Sequence, residues 1–180
     1  YSYSDGTNTF GPFTTTNDPQ IVNVTPTATT TYNLTATLTG AGCVGNTNAA
    51  TATVTVNDLP TASISGNNTI CSGTTTPLTL NFVGTGPYTY SYSNGTTTFG
   101  PFTTNNNPAT VTVGPAVSTT FNLVTISDAN CAGSVAGSAA ITVNPLPTAS
   151  LTGTASICDG LNTDLSILFT GTGPFTYSYN

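Results

Sequence analysis

Ten side chains in this sequence could take part in acid, metal or redox chemistry: Cys43, Cys71, Cys131 and Cys158, and the six aspartates Asp5, Asp18, Asp58, Asp128, Asp159 and Asp164. Lys, Arg, His and Glu are absent, and the net charge is −6. Without a basic side chain, no Ser or Cys can be activated by the usual neighbouring base. Two carboxylates could still work as acid and base, but only Asp159 and Asp164 lie close in sequence. The cysteines have neither CxxC spacing nor histidine partners, so a zinc site is not indicated. Four cysteines in an otherwise unreactive chain point to disulfides and an oxidising, extracellular compartment.

The missing cations exclude more than catalysis. A chain that cannot neutralise phosphate has no means of binding nucleic acid by counterion release or of docking on anionic lipid. No apolar run approaches the ~20 residues needed to cross a bilayer. Charged residues make up 3% of the chain against about 25% in ordinary globular proteins. Thr supplies roughly a quarter of the residues, with Asn, Ser and Gly much of the rest. The hydrophobic 37% falls in short alternating runs, which predicts a packed fold rather than disorder.

The elements that must position these residues repeat. Gly84-Thr85-Gly86-Pro87-Tyr88-Thr89-Tyr90-Ser91-Tyr92 returns as Gly171-Thr172-Gly173-Pro174-Phe175-Thr176-Tyr177-Ser178-Tyr179. Thr9-Phe10-Gly11-Pro12-Phe13 returns from Thr98, Leu59-Pro60-Thr61-Ala62-Ser63 from Leu146, and Tyr32-Asn33-Leu34 as Phe121-Asn122-Leu123. Ile70-Cys71 returns as Ile157-Cys158 and Cys43 as Cys131. The period runs from 87 (Leu59 to Leu146) to 89 (Tyr32 to Phe121), the size of a β-sandwich module of ~100 residues. One whole repeat spans 59–145. Residues 1–58 are the later part of the preceding repeat, and 146–180 the early part of the next. The chain starts and stops inside patterned segments, without an initiator Met, a signal peptide or a tag, so both ends are expected to continue in a longer protein.

Period-two alternation rich in Thr and Val predicts strands and almost no helix. The whole repeat reads as seven: Thr61–Gly66, Pro77–Val83, Tyr88–Tyr92, Thr97–Phe102, Ala109–Val113, Thr119–Ile126 and Ala139–Asn144. Asn94-Gly95 marks a hairpin turn. Seven strands with turn signals between them predict an all-β sandwich. The stretches from Asn57 to Pro60 and from Asn144 to Pro147 read as stiff linkers, because proline ends a ladder and fixes φ.

Pro60-Thr61-Ala62-Ser63, Ile70-Cys71-Ser72-Gly73, the tyrosine strand, Ser127-Asp128-Ala129-Asn130-Cys131-Ala132-Gly133 and Ile141-Thr142-Val143 follow one another in this order. In that order they resemble the Ig-like and PKD-like tandem repeats of giant cell-surface adhesins of Bacteroidota, the type exported by type IX secretion and used in gliding motility. The resemblance covers the whole chain. Tyr90-Ser91-Tyr92-Ser93-Asn94-Gly95 stands where PKD domains proper carry a Trp-Asp-Phe-Gly-Asp strand. The resemblance implies tandem immunoglobulin-like sandwiches at the bacterial cell surface.

The repeat also tests each candidate site. A site needed in every module should recur, and no aspartate does: Asp5 is matched by Asn94, Asp18 by Asn107, Asp58 by Pro145, Asp159 by Ser72 and Asp164 by Pro77, while Asp128 falls opposite Gly40 or Thr39. What recurs is Pro, Gly, Tyr or Phe, Leu, Val and Cys, a scaffold set, so the chain is expected not to be an enzyme and to carry no cofactor. Adhesin linkers can hold Ca²⁺; Asp58 is the residue placed for it, but with Pro145 opposite it reads as a solvated turn residue. The three tyrosines of one strand face could stack on a sugar, yet they fit the filling of a sandwich interior better.

Two pairings of the cysteines remain open. Cys71 could bond Cys131 within one module. Strands that alternate in direction instead put the Cys71 position beside the following module and the Cys131 position at the other end, which favours a staple between modules. The function expected from these features is an extended extracellular filament or adhesin stalk whose partners are neighbouring repeats. The alternatives are a glycan- or protein-binding module, or a non-covalent filament in which residues 1–58 and 146–180 of neighbouring copies complete one sandwich.

Overall fold

The computed structural model describes residues 1–34, 39–40, 43–44 and 50–179, with only backbone pairing described for Thr39, Gly40, Cys43 and Val44. Two compact units divide the chain, Tyr1–Leu59 and Pro60–Asn180. The fold is all-β, with 48% of residues in strands and no helix among those described.

In the first unit β1 (Tyr3–Ser4), β2 (Thr9–Phe10), β3 (Thr30–Leu34) and β6 (Thr51–Val54) form a sheet in the order β2-β1-β3-β6, while β4 (Thr39–Gly40) pairs with β5 (Cys43–Val44). Residues 60–144 hold β7 (Thr61–Ser65), β8 (Asn68–Cys71), β9 (Thr76–Val83), β10 (Tyr88–Ser93), β11 (Thr98–Thr104), β12 (Ala109–Val113), β13 (Thr119–Ser127), β14 (Ser134–Ala136) and β15 (Ser138–Asn144). One sheet has the order β12-β9-β7-β14, the other β11-β10-β13-β15-β8. Beyond them β16 (Thr148–Thr152) pairs antiparallel with β17 (Ser166–Thr170).

Alternation builds the core, since successive side chains of a strand point to opposite faces. Ala62 and Ile64 of β7, Leu78, Leu80 and Phe82 of β9, and Ala109 and Val113 of β12 are buried from one sheet. Ile70, Tyr88, Tyr90, Tyr92, Phe121, Leu123, Ile126, Ala139 and Ile141 are buried from the other, and all join one cluster. Phe82 stacks on Tyr88 with ring centroids 4.7 Å apart, joining the two sheets. A single core between two sheets is the arrangement of a β-sandwich. The outward faces are rich in threonine, and hydroxyls bond across strands: Thr89 with Thr103 at 3.2 Å, exposed, and the buried Ser91 with Thr125 at 2.6 Å. Hydroxyl pairs of this kind replace the ion pairs that this chain has no residues to form.

The central repeat contains nine strand segments where seven were expected. The two additions come from its first and last runs, each broken by a glycine. Gly66 separates β7 from β8, and Gly137, at φ +79, separates β14 from β15. A Cβ on Gly137 would come within 2.5 Å of the Ile64 carbonyl oxygen, so only glycine lets the two runs lie this close. After its break each run changes sheets: β7 pairs with β14 and β8 with β15, both parallel, with Thr61 opposite Ser134 and Cys71 opposite Asn144. Short segments without a clean alternation carry little sequence signal.

Pro60 also departs from its reading as linker. It is fully buried, its carbonyl accepts from Ser134 N–H at 3.1 Å, and it lies against Gly84, whose added Cβ would be 3.2 Å from Pro60 Cβ. Pro147 and Gly171 repeat the contact at 3.3 Å. The proline therefore belongs to the sandwich.

Candidate functional site

Among the described residues no group of three His, Cys, Asp or Glu could hold a metal ion. The aspartates are dispersed, and those with defined partners shape backbone turns. Asp5 Oδ1 accepts from Thr7 N–H (2.9 Å) and Asn8 N–H (2.6 Å). Asn94 Oδ1, at the matching place in the next repeat, accepts from Thr96 N–H (3.0 Å) and Thr97 N–H (2.7 Å). The two turns use an acceptor oxygen and do not require a charge, so Asp and Asn interchange there. Asp128 Oδ1 likewise accepts from Asn130 N–H (2.8 Å) and Cys131 N–H (2.7 Å). These bonds favour the ionised form and hold both carboxyls below their usual range. For Asp5 the Asn8 backbone bond contributes most, for Asp128 that from Cys131. Asp58, Asp159 and Asp164 are exposed.

Asn107 was matched to Asp18 in the sequence, but its role there is not legible. Its Oδ1 accepts from Phe82 N–H at 3.0 Å and its Nδ2 donates to Phe82 O at 2.7 Å. The side chain thus stands in for a strand neighbour at the end of β9, just before β12 begins. Asn67 Oδ1 likewise accepts from a distant backbone donor, Ala140 N–H, at 2.8 Å.

The three tyrosines of β10 are core. Tyr88, Tyr90 and Tyr92 are each buried, and the Tyr88 hydroxyl donates to Gly84 O at 2.7 Å. Burial raises the pKa of Tyr90 and Tyr92, with Tyr92 adding a smaller like-charge effect on Tyr90. These faces are not available to stack on a sugar.

Of the four cysteines, the side chain of Cys43 lies outside the described residues. The others are not at disulfide distance from one another. Cys71 is exposed at the β8 end that faces Asn144. Cys131 sits in the Asp128 turn, three residues before Ser134, which faces Thr61. Residues 61–71 run extended between those two levels, roughly 30 Å at about 3.3 Å per residue. The bond within one module, Cys71 to Cys131, is therefore not made in this structure: the two residues sit at opposite ends of the sandwich.

An apolar groove lies in the first unit. It is open, has a volume of about 770 Å³ and is lined by Tyr3, Val22, Val24, Tyr32, Leu34 and Val54 among others. In the central sandwich Tyr92, Phe121, Leu123 and Ile141 stand at the places of Tyr3, Tyr32, Leu34 and Val54, and there they are buried. The groove residues Tyr3, Tyr32, Leu34 and Val54 thus correspond to core positions of the central sandwich.

Compared with known proteins, the chain matches no family model, no curated protein and no solved structure.

Proposed function

We propose that the chain is a structural repeat region of an extended extracellular filament or adhesin stalk, built from tandem immunoglobulin-like sandwiches. The observation that carries this reading is that the contacts recurring between repeats are folding contacts. The rings of Tyr92 lie 5.0, 5.9 and 6.3 Å from Phe99, Phe102 and Phe121. Those of Tyr3 lie 5.0, 6.1 and 6.2 Å from Phe10, Phe13 and Tyr32. The same ring ladder recurs from repeat to repeat while no aspartate does, as expected of a spacer whose function is its shape.

The strand orders support the immunoglobulin-like assignment. β7, β9 and β12 correspond to strands A, B and E of one sheet, and β10, β13 and β15 to C, F and G of the other. The placing of Cys71 and Cys131 at opposite ends supports a staple between modules, Cys71 meeting the Cys131-type residue of the following repeat. The near absence of charge and the motif order support a surface adhesin of the type IX-exported class. A glycan- or protein-binding module is the second reading, favoured only by the partly exposed rings of Phe102 and Phe13.

Force spectroscopy and a glycan array on the 180-residue chain test the two. A spacer gives a sawtooth step of roughly 300 Å for the central sandwich, about 85 residues at ~3.5 Å each, and no saturable sugar binding. Saturable binding lost on Phe102→Ala would replace the spacer reading with the binding one.

A further inference from the structure

Asn94 and Asp5 hold the same turn in two repeats. Asn94 N–H donates to Thr97 O and Asp5 N–H to Asn8 O, both at 3.2 Å. Each side-chain oxygen accepts in return from the backbone two and three residues on: Thr96 and Thr97 for Asn94, Thr7 and Asn8 for Asp5. The next residue is glycine in both, at φ +90° for Gly95 and +92° for Gly6. Its N–H donates to the preceding serine, to Ser93 Oγ at 3.0 Å and to Ser4 Oγ at 3.1 Å. The chemical difference is an amide at residue 94 and a carboxylate at residue 5. Asp5 Oδ2 accepts from Asn8 Nδ2 at 3.2 Å. Thr97 stands at the place of Asn8 in the central repeat, and among the described residues no hydrogen bond holds Asn94 Nδ2.

We infer that Asn94 is a site of intramolecular deamidation through the Gly95 nitrogen, and that the hairpin keeps the aspartate formed. Asn94-Gly95 is the one Asn-Gly step in the sequence. Gly95 is exposed, and a Cβ added to it would meet nothing within 4 Å, so hydroxide reaches its N–H from open solvent. Hydroxide removes that proton, and the nitrogen forms a bond to Asn94 Cγ. The charge that develops falls on Oδ1, to which Thr96 N–H (3.0 Å) and Thr97 N–H (2.7 Å) already donate. Donors placed in advance at a developing oxyanion lower the barrier. The Cγ–Nδ2 bond then breaks, and Nδ2 takes a proton from water and leaves as ammonia. A cyclic imide now joins residues 94 and 95. Water opens it in one of two ways. Addition at Cγ breaks the new Cγ–N bond and leaves aspartate; addition at the backbone carbonyl carbon of residue 94 leaves isoaspartate.

The first unit shows that the product fits. Asp5 makes both backbone bonds, and they favour its ionised form. An aspartate at position 94 therefore keeps the turn between β10 and β11 and adds one negative charge to the net −6. Isoaspartate instead inserts a methylene into the main chain inside the turn, against the register that pairs Ser93 with Thr98 and Tyr92 with Phe99. The Thr96 and Thr97 donors polarise Cγ and direct water to it, so the folded chain yields aspartate in excess.

Ageing the whole chain at mildly alkaline pH, with and without denaturing urea, tests the inference. The folded protein should gain one negative charge on isoelectric focusing and release ammonia in equal amount, and peptide mapping should place the change at residue 94. Aspartate should outweigh isoaspartate in the folded protein, and the ratio should fall in urea. Gly95→Ala should slow the change by about tenfold or more. Because alanine is strained at φ +90°, Asn94→Asp serves as the second variant. It should focus with the aged product from the start and show the wild-type circular dichroism. Folded protein that keeps the Asn94 amide while the urea-treated chain loses it would overturn the inference. So would isoaspartate as the main product of the folded chain, or an Asn94→Asp variant that fails to fold.

Discussion

The side-chain amide of Asn107 spans the backbone of Phe82, accepting from its N–H at 3.0 Å and donating to its carbonyl at 2.7 Å. Both bonds form at the end of β9, beside the Phe82 ring in the core. A carboxylate keeps the first bond and sets an anion against the carbonyl in place of the second. Asn107→Asp should therefore lower the stability of the central sandwich by about 1–3 kcal/mol, read from urea unfolding at neutral pH. An unchanged midpoint would mean that the amide is dispensable.

Leu78 and Leu165 occupy one repeat position in two environments, fully buried and 59% exposed. Leu78→Ala should cost about 2–5 kcal/mol by removing core contacts and leaving a cavity. Leu165→Ala in dilute, monomeric protein should cost within about 0.5 kcal/mol. Denaturant midpoints of the two variants check the contrast; equal losses would place residue 165 inside a core.

The turn aspartates give stability a direction at low pH. Asp5 and Asp128 have pKa values lowered from 3.8 by backbone donors. The stability they contribute is present above 3.8 and is lost as pH falls through their folded values. Asp128→Asn keeps an acceptor but not the charge, so it should be less stable than the wild type at pH 7, show a flatter acid profile and converge with it at low pH. Fluorescence-monitored unfolding between pH 2 and pH 7 reads both.

At the other extreme, Tyr90 and Tyr92 are raised above 10.0 by burial. Their contribution is complete below 10.0 and declines as pH rises through the folded values, because ionisation is easier in the unfolded chain. Alkaline unfolding followed by tyrosinate absorbance should begin above pH 10 and move upward in Tyr92→Phe once corrected for that variant's stability at pH 7. Full ionisation of all eight tyrosines in still-folded protein would contradict the burial.

Cys71 and Cys131 at opposite ends of one sandwich predict a particular peptide map. After air oxidation of the 180-residue chain, non-reducing digestion should yield no peptide pair joining Cys71 to Cys131 within a monomer. Recovery of that pair in high yield would require the module to rearrange over roughly 30 Å.

Sequence and tertiary structure contribute differently here. The strands with strong alternation were legible to within one or two residues at their ends, because period two is written directly into β9, β10 and β13. That Tyr88, Tyr90 and Tyr92 face the core followed from their spacing on one strand face. The interchange of Asp5 with Asn94 was visible as a substitution, and the paired backbone bonds explain it as acceptor chemistry. Other features depended on residues far apart in the chain. β8 and β14 exist only because each finds a parallel partner about 73 residues away (Thr61 to Ser134), and no local pattern encodes that pairing. Pro60 looks like a linker until Gly84 and Ser134 close around it. By itself the sequence determined strand content, repeat length and the scarcity of reactive groups, because periodicity and composition are local properties. Only the tertiary structure decided that Asn107 serves Phe82 and that Cys71 and Cys131 stand at opposite ends, because each depends on what packs across the sandwich.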